Sequence, residues 1–422
     1  MTRLRKKAFI ALFLFTLFIF GTMMGLRTLK PSDGFSDLAP GMGEFVGERG
    51  GDRKPPVSND MVVSPGQSHL ASDTKVVFTK SDRDYSIFYD VQIFYYLWYG
   101  TPQMDGKYIH WDHVLVPHWD PKIAASHAKG RHTPPEDIAA SFFPELGPYS
   151  SRDPTVLESH MSQIEAAAAG VLVLSWYPPG IADNHGEPCE DLVPAVMDAA
   201  HRHSIKVAFH IQPYKGRTDL SMHDNIKYII DKYGNHGAFY RFRSTTGRIL
   251  PLFYVYDSYL TPPEAWAELL HPAGAHTLRG TPYDGVFLAL VVEKNATNTR
   301  SWPNWKAVKA FCDGNNLLFV PSAGPGYVDT AVRPWNNHNT RNRVNGRYYE
   351  TSLQAALSVR PEIVTITSFN EWHEGTQIEK AVPRKTVSRL YLDYQPHRSD
   401  LYLELTRKWA EHFNKEKDKW LM

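Results

Sequence analysis

Glu371 and Glu374 stand three residues apart in Ser368–Gly375 (SFNEWHEG), directly after the apolar run Glu362–Thr367 (EIVTIT). Carboxylates at i and i+3 just beyond a strand can face one pocket if the chain turns there. Such a pair, one protonated and one not, is the usual acid/base apparatus of glycoside cleavage. A solvated loop of surface acids would show the same spacing. The interleaved Trp372 and His373 and the preceding Asn370 favour a site, because barrel enzymes place their chemistry at the C-terminal ends of strands.

Positioning such a pair requires a scaffold, and seven apolar runs alternate with helix-like segments along the chain. The runs are Ile93–Gly100, Gly170–Tyr177, Lys206–Tyr214, Pro251–Ser258, Gly285–Val292, Leu317–Tyr327 and Glu362–Trp372. Near-continuous apolar runs of this length are expected of strands buried on both faces, and intervening helices imply parallel connections. Helices are predicted over Pro154–Ala169, Asp191–His203, Met222–Tyr233, Pro263–Leu270, Trp305–Asn315, Tyr349–Val359 and Asp400–Lys415, several opening with an early proline. No glycine-rich phosphate loop follows a strand, so the alternation favours an α/β fold of the (β/α)8 TIM-barrel type over an open doubly wound sheet. A barrel needs eight strands, and the polar stretch between Val292 and Trp305 cannot supply both a helix and another buried strand, so one strand is expected to be lacking or disrupted there.

In such a barrel the strand ends bring Tyr99, Trp176, Tyr177, His210, Tyr214, Tyr256, Asp257, Tyr327 and Asn370 to one mouth, together with the neighbouring Tyr95, Trp98 and Gln212. Rings stack on sugar faces, while amides, imidazoles and carboxylates bond hydroxyls, so this composition suits a saccharide cleft. The long loop after the first strand adds Lys107, His110 and Trp111, and a second loop, Arg333–Arg343, offers forked donors. His110, His113 and His118 form no tight metal-binding pattern, and neither a metal nor a cofactor is expected.

The chain has 422 residues, 46 Lys+Arg against 45 Asp+Glu, and 13% aromatic residues, including 11 Trp and 22 Tyr. A net charge of +1 supplies no field to recruit nucleic acid, so a neutral ligand is the simpler expectation. Residues 1–7 carry Arg3, Arg5, Lys6 and Lys7 and are expected to form a cytosolic tail. The uncharged residues 8–26 are expected to be a signal-anchor transmembrane helix, residues 27–84 a disordered lumenal stem, and residues 85–422 the lumenal barrel. Cys189 and Cys312 give no disulfide framework and are left as either a pair or separate thiols. Asn295 opens the sequon Asn295-Ala296-Thr297.

The runs YYLWYG (Tyr95–Gly100), DGKYIHWDH (Asp105–His113), FPELGPYSSRDP (Phe143–Pro154), LSWYPPG (Leu174–Gly180), FHIQPY (Phe209–Tyr214), YDGVFLAL (Tyr283–Leu290), GPGYVDT (Gly324–Thr330), RPWNNHNTRNRVNG (Arg333–Gly346) and SFNEWHEGTQIEKA (Ser368–Ala381) together resemble the endo-α-1,2-mannosidases of glycoside hydrolase family 99, and most of all their endomannosidase-like branch. The resemblance implies a metal-independent, retaining barrel enzyme of the Golgi membrane, single-pass and type II, that cuts inside glucosylated high-mannose N-glycans. It implies that Glu371 acts as base on the sugar's own 2-hydroxyl, giving a 1,2-anhydro intermediate, and that Glu374 protonates the leaving group and then activates water. The usual rule relating carboxyl separation to stereochemistry does not apply to such substrate-assisted chemistry. The chain departs from the family twice. Gln212 stands where the FHIEPY pattern has an acid, and Glu293–Pro303 replaces a segment resembling GFDGxYTYFA. The alternative expectation is therefore a catalytically impaired glycan-binding protein.

Overall fold

The computed structural model describes residues 86–243, 247–271, 273–278, 287–291 and 302–421. The expected tail, membrane helix, stem, sequon at Asn295 and interrupted stretch after Val292 lie outside these residues. Among the described residues, no helix is long and apolar enough to cross a membrane.

All seven expected strand runs overlap a strand, the first only over Ile93–Tyr95: β1 Phe88–Tyr95, β2 Ala169–Trp176, β3 Lys206–Ile211, β5 Ile249–Tyr256, β6 Phe287–Val291, β7 Ser322–Ala323 and β8 Val364–Ile366. A short β4, Arg241–Arg243, forms an antiparallel ribbon with β5 that the apolar runs did not signal, because only its middle residue is buried. The seven others pair in parallel in the spatial order β6-β5-β3-β2-β1-β8-β7. This is the strand order of a TIM-type barrel, with β6 and β7 at its two edges and no strand joining them among the described residues.

Side-chain alternation gives the sheet two cores. Phe94, Val171, Val173, Ala208, Leu252 and Tyr254 share the inner cluster with Ile363. The residues between them in sequence, Ile93, Tyr95, Leu172, Leu174, Val207, Phe209, Phe253 and Val255, face the helices. That outer layer comprises α1 Pro154–Ala166, α2 Val193–Arg202, α3 Asp219–Tyr233, α4 Pro263–Leu270, α5 Trp305–Gly314, α6 Arg347–Ser358 and α7 Leu401–Leu421. Helix α1 starts where Asp153 accepts from the Thr155 N–H beside Pro154. Helix α3 opens with a reciprocal cap between Thr218 and Ser221. Cys189 and Cys312 are both free.

Candidate active site

The turn after β8 is fastened to the end of β1. The Asn370 side chain accepts from the Tyr96 N–H and donates to the Tyr96 carbonyl, both at 2.8 Å, while the Phe369 N–H donates to the Phe94 carbonyl at 2.8 Å. The Tyr99 hydroxyl donates to the Asn370 carbonyl at 3.0 Å and accepts from the Trp372 N–H at 3.2 Å. Gly375 has φ 59°, and a Cβ there would lie 2.5 Å from Val328 Cγ1, so only glycine lets this turn pack against Val328. The Val328 N–H in turn donates to the Glu374 carbonyl at 2.8 Å.

Phe369 and Trp372 point into the protein, and both are fully enclosed. Beneath them lies a buried polar network. Glu379 Oε2 accepts from Trp372 Nε1 at 3.0 Å and from the Tyr149 hydroxyl at 2.8 Å, and its Oε1 lies 3.2 Å from His160 Nε2. The far end of the turn is held by Arg343, which donates to the Gly375 and Gln377 carbonyls at 3.0 and 2.6 Å, with its guanidinium 4.4–5.0 Å from the ring centres of Phe142, Tyr394 and Tyr402. Flat π faces and two fixed carbonyls suit a planar fork rather than a point charge. Arg343→Ala is expected to lower stability by on the order of 3 kcal/mol in denaturant unfolding, with Arg343→Lys recovering only part of it.

With its neighbours turned inward, the turn presents Glu371 and Glu374 upward. Glu371 is 4% exposed. Its Oε1 accepts from the His373 N–H at 3.1 Å, and its Oε2 is buried without a partner. Burial first, and then the Glu374 charge, push the Glu371 carboxyl well above the ordinary range, with Arg333 opposing. Burial also raises Glu374, although its side chain is 30% exposed and solvent at the mouth screens part of that push. Arg333 Nη1 lies 3.8 Å from Glu374 Oε1 and 3.2 Å from Asp329 Oδ2. Asp329 is fully buried and also accepts from the Tyr327 hydroxyl and Asn336 Nδ2, each at 2.8 Å. The two glutamates titrate as one unit that keeps a proton above the ordinary carboxylate range.

Beside Glu371, Trp98, His110, Ser175, Tyr177 and Asp183 line a small cleft. His373 Nδ1 lies 2.7 Å from the Ala139 carbonyl, which can only accept, so that nitrogen carries the hydrogen. His373 Nε2 then accepts from His110 Nδ1 at 3.2 Å. Burial lowers both imidazoles well below their ordinary value, so both are neutral at pH 7. His110 Nε2 is left as a bare acceptor 3.4 Å from Asp183 Oδ2, able to take a hydrogen from a hydroxyl in the cleft. Among the described residues, no group of three or more His, Cys, Asp and Glu is arranged to hold a metal ion.

The structure gathers Glu371, Glu374, Tyr327, His110 and Tyr177 around this mouth, while Asn370, 0% exposed, spends its amide on the Tyr96 backbone and fastens the turn instead of facing a ligand. His210, 1% exposed, packs 4.8 Å from Phe94 and 5.4 Å from Tyr256 on the inner parity of the sheet, with its pKa lowered by burial to about 3. The other expected contacts take different positions. Trp176 is 1% exposed and has the parity of Leu172 and Leu174, facing the helices. Tyr99 and Trp111 stack on each other at 4.3 Å as a floor under the turn, both buried. Tyr214 bonds Ser221 and Asn225 of α3. Asp257 gives its carbonyl to Arg217, and Lys107 pairs with Glu187 at 2.5 Å on the surface. Asp183 carried no sequence signal, and Asp329 lay within the run GPGYVDT without being singled out. Glu379 lay within a recognised run, but nothing local marked it as a charge buried against His160.

The sequence matches glycosyl hydrolase family 99 over residues 86–415. It is 74% identical to a glycoprotein endo-alpha-1,2-mannosidase-like protein of Danio rerio, with all of both chains covered in an alignment of 446 positions against this chain's 422 residues. It is 48% identical to the glycoprotein endo-alpha-1,2-mannosidase of Xenopus laevis, again with both chains fully covered. The GH99 endo-alpha-mannosidase of Bacteroides thetaiotaomicron superposes with a TM-score of 0.71 at 38% identity, covering 79% of this chain and all of that one. Sequence and architecture agree, and the chain belongs to glycosyl hydrolase family 99.

Proposed function

We propose that the chain is an endo-α-1,2-mannosidase that trims glucosylated high-mannose N-glycans with retention of configuration, held in the Golgi membrane by residues 8–26 with its barrel in the lumen. The observation that carries the reading is the placement of Glu371 and Glu374 on one clamped turn at the C-terminal mouth of a parallel sheet, with burial raising both carboxyls above the ordinary carboxylate range. Glu371 Oε2, buried and unpartnered, is the acceptor available to a substrate hydroxyl. Glu374, nearer solvent, is placed to hand a proton to a departing sugar and then to activate water.

The unliganded electrostatics weigh against these roles. Arg333 beside Glu374 favours its ionised form, while Glu371 has the stronger push toward protonation. A sugar 2-hydroxyl donating to Glu371 Oε2 stabilises its carboxylate, and a glycosidic oxygen near Glu374 favours the proton there, so substrate binding reverses the distribution. Arg333→Met removes the nearby cation, leaves both carboxyls harder to ionise, and is expected to move the acid limb of the kcat/KM profile to higher pH, with Arg333→Lys restoring it in part. An unmoved or lowered limb would contradict this electrostatic reading. Following the anomer first formed by proton NMR tests the mechanism: the α product is expected, and a β product would overturn it.

A second reading rests on the unjoined edges β6 and β7. In that case the chain holds glycans without cleaving them, and wild type and Glu371→Gln bind alike with no turnover in either.

A further inference from the structure

A cluster of aromatic side chains outside the catalytic cleft is fixed in place yet turned to water. Trp119 is 79% exposed, a costly position for an indole with no partner to cover it. It is nevertheless ordered by its neighbours. The His118 ring stacks on it at 3.8 Å and 28°, and Trp335 stands edge-on to both, at 4.9 Å from His118 and 5.2 Å from Trp119. Trp335 Nε1 donates to the Val116 carbonyl at 2.9 Å. The Asp120 N–H donates to His118 Nδ1 at 2.9 Å, and the Asp120 carboxylate caps the following turn through the Lys122 N–H at 2.8 Å. Because Nδ1 accepts, the His118 ring carries its hydrogen on Nε2, a donor beside the exposed indole. One face of Trp119 is covered by imidazole, and the platform is built before any ligand arrives.

Its position relative to the glutamates follows from the backbone. The Val116 N–H donates to the Val332 carbonyl at 2.8 Å, and the next residue, Arg333, reaches Glu374 at 3.8 Å. Trp335 is two residues further, at most about 7 Å of extended chain. The platform therefore lies on the side of the pair from which Arg333 reaches Glu374, whereas the cleft of Trp98, His110 and Asp183 lies on the side of His373, whose N–H holds Glu371 Oε1.

We propose that Trp119, with His118 and Trp335, is a stacking subsite for a neutral hexopyranose ring in the leaving-group half of the glycan. This rests on the acid role assigned to Glu374, since the group that protonates the leaving oxygen faces the departing sugars. A rigid, wet-faced indole with a donor at its edge matches the apolar face and rim hydroxyls of a pyranose. It carries no charge that would select an anionic ligand.

The test measures calorimetric Kd on the Glu371→Gln chain, with and without Trp119→Ala, for two probes: an intact glucosylated high-mannose N-glycan and the glucosyl-mannose disaccharide alone. The expected result is about tenfold weaker binding of the intact glycan in Trp119→Ala and an unchanged Kd for the disaccharide. Equal affinities with and without Trp119 for both probes would overturn the subsite and leave the proposed activity standing. Equal losses for both probes would also overturn it, because the platform would then serve the Glu371 side or the fold. If the parent chain binds neither probe, the proposed function fails and the subsite with it. Binding to neutral phosphatidylcholine vesicles that Trp119→Ala abolishes, with glycan affinity unchanged, would reassign the platform to a membrane surface and overturn the proposal.

Discussion

Glu371→Gln is expected to abolish turnover, by at least on the order of a thousandfold in kcat, while making the protein more stable at neutral pH. The two effects share one cause. Glu371 is buried with one oxygen unpaired, beside a second carboxylate, so ionising it costs the folded state free energy. Its folded pKa lies above its unfolded value. The folded chain thus holds a proton that the unfolded chain releases, and the stability penalty grows as pH rises from about 4.5 toward the folded pKa. Glutamine keeps the acceptor for the His373 N–H and removes the charge. Its Tm should exceed wild type at pH 7, by on the order of 2–4 °C for each kcal/mol relieved, and the two should converge as pH falls to about 4.5. Thermal unfolding followed across that range checks the sign. A glutamine variant less stable at pH 7 would mean that Glu371 is satisfied by something other than the contacts described.

Lengthening the chain between Val291 and Trp302 is expected to raise both Tm and kcat/KM, the latter by on the order of 100-fold. The sheet ends at β6 on one side and β7 on the other, and β7 is only two residues long. Among the described residues no strand pairs the outer edges of β6 and β7, and unpaired parallel edges forfeit ladder hydrogen bonds. A strand-and-helix segment carrying the family's GFDGxYTYFA pattern would pair both edges. Misplacing a substrate by about 1 Å can cost two orders of magnitude, which sets the size of the expected gain. Parallel unfolding and kinetic measurements on the two forms decide it. No gain in either would show that β6 and β7 are not the site of a missing wall.

The strands were legible because seven apolar runs are what burial on both faces requires, and their C-terminal ends pointed to the mouth where Glu371 and Glu374 stand. The polar stretch after β6 was the reason to expect a lacking or disrupted strand there; among the described residues no strand joins β6 to β7. Parity was the signal left unused. Alternation from Leu172 and Leu174 places Trp176 outward, and alternation from Phe94 and Tyr96 places Trp98 inward. Arg333 and Arg343 looked alike in the sequence as forked donors on one loop. Only the fold shows that one meets the Glu374 carboxylate and the other is sealed beneath the turn, stacked on three rings. Glu379 was invisible as a buried carboxyl because two of its partners, His160 and Tyr149, are more than 200 residues away in sequence.

The most direct test of the central claim is the product released from a glucosylated high-mannose N-glycan, read by mass spectrometry for wild type and Glu371→Gln side by side. The account predicts a glucosyl-mannose disaccharide from wild type and none from the variant. An intact glycan in both reactions despite measurable binding, or a released monosaccharide in place of the disaccharide, would contradict it.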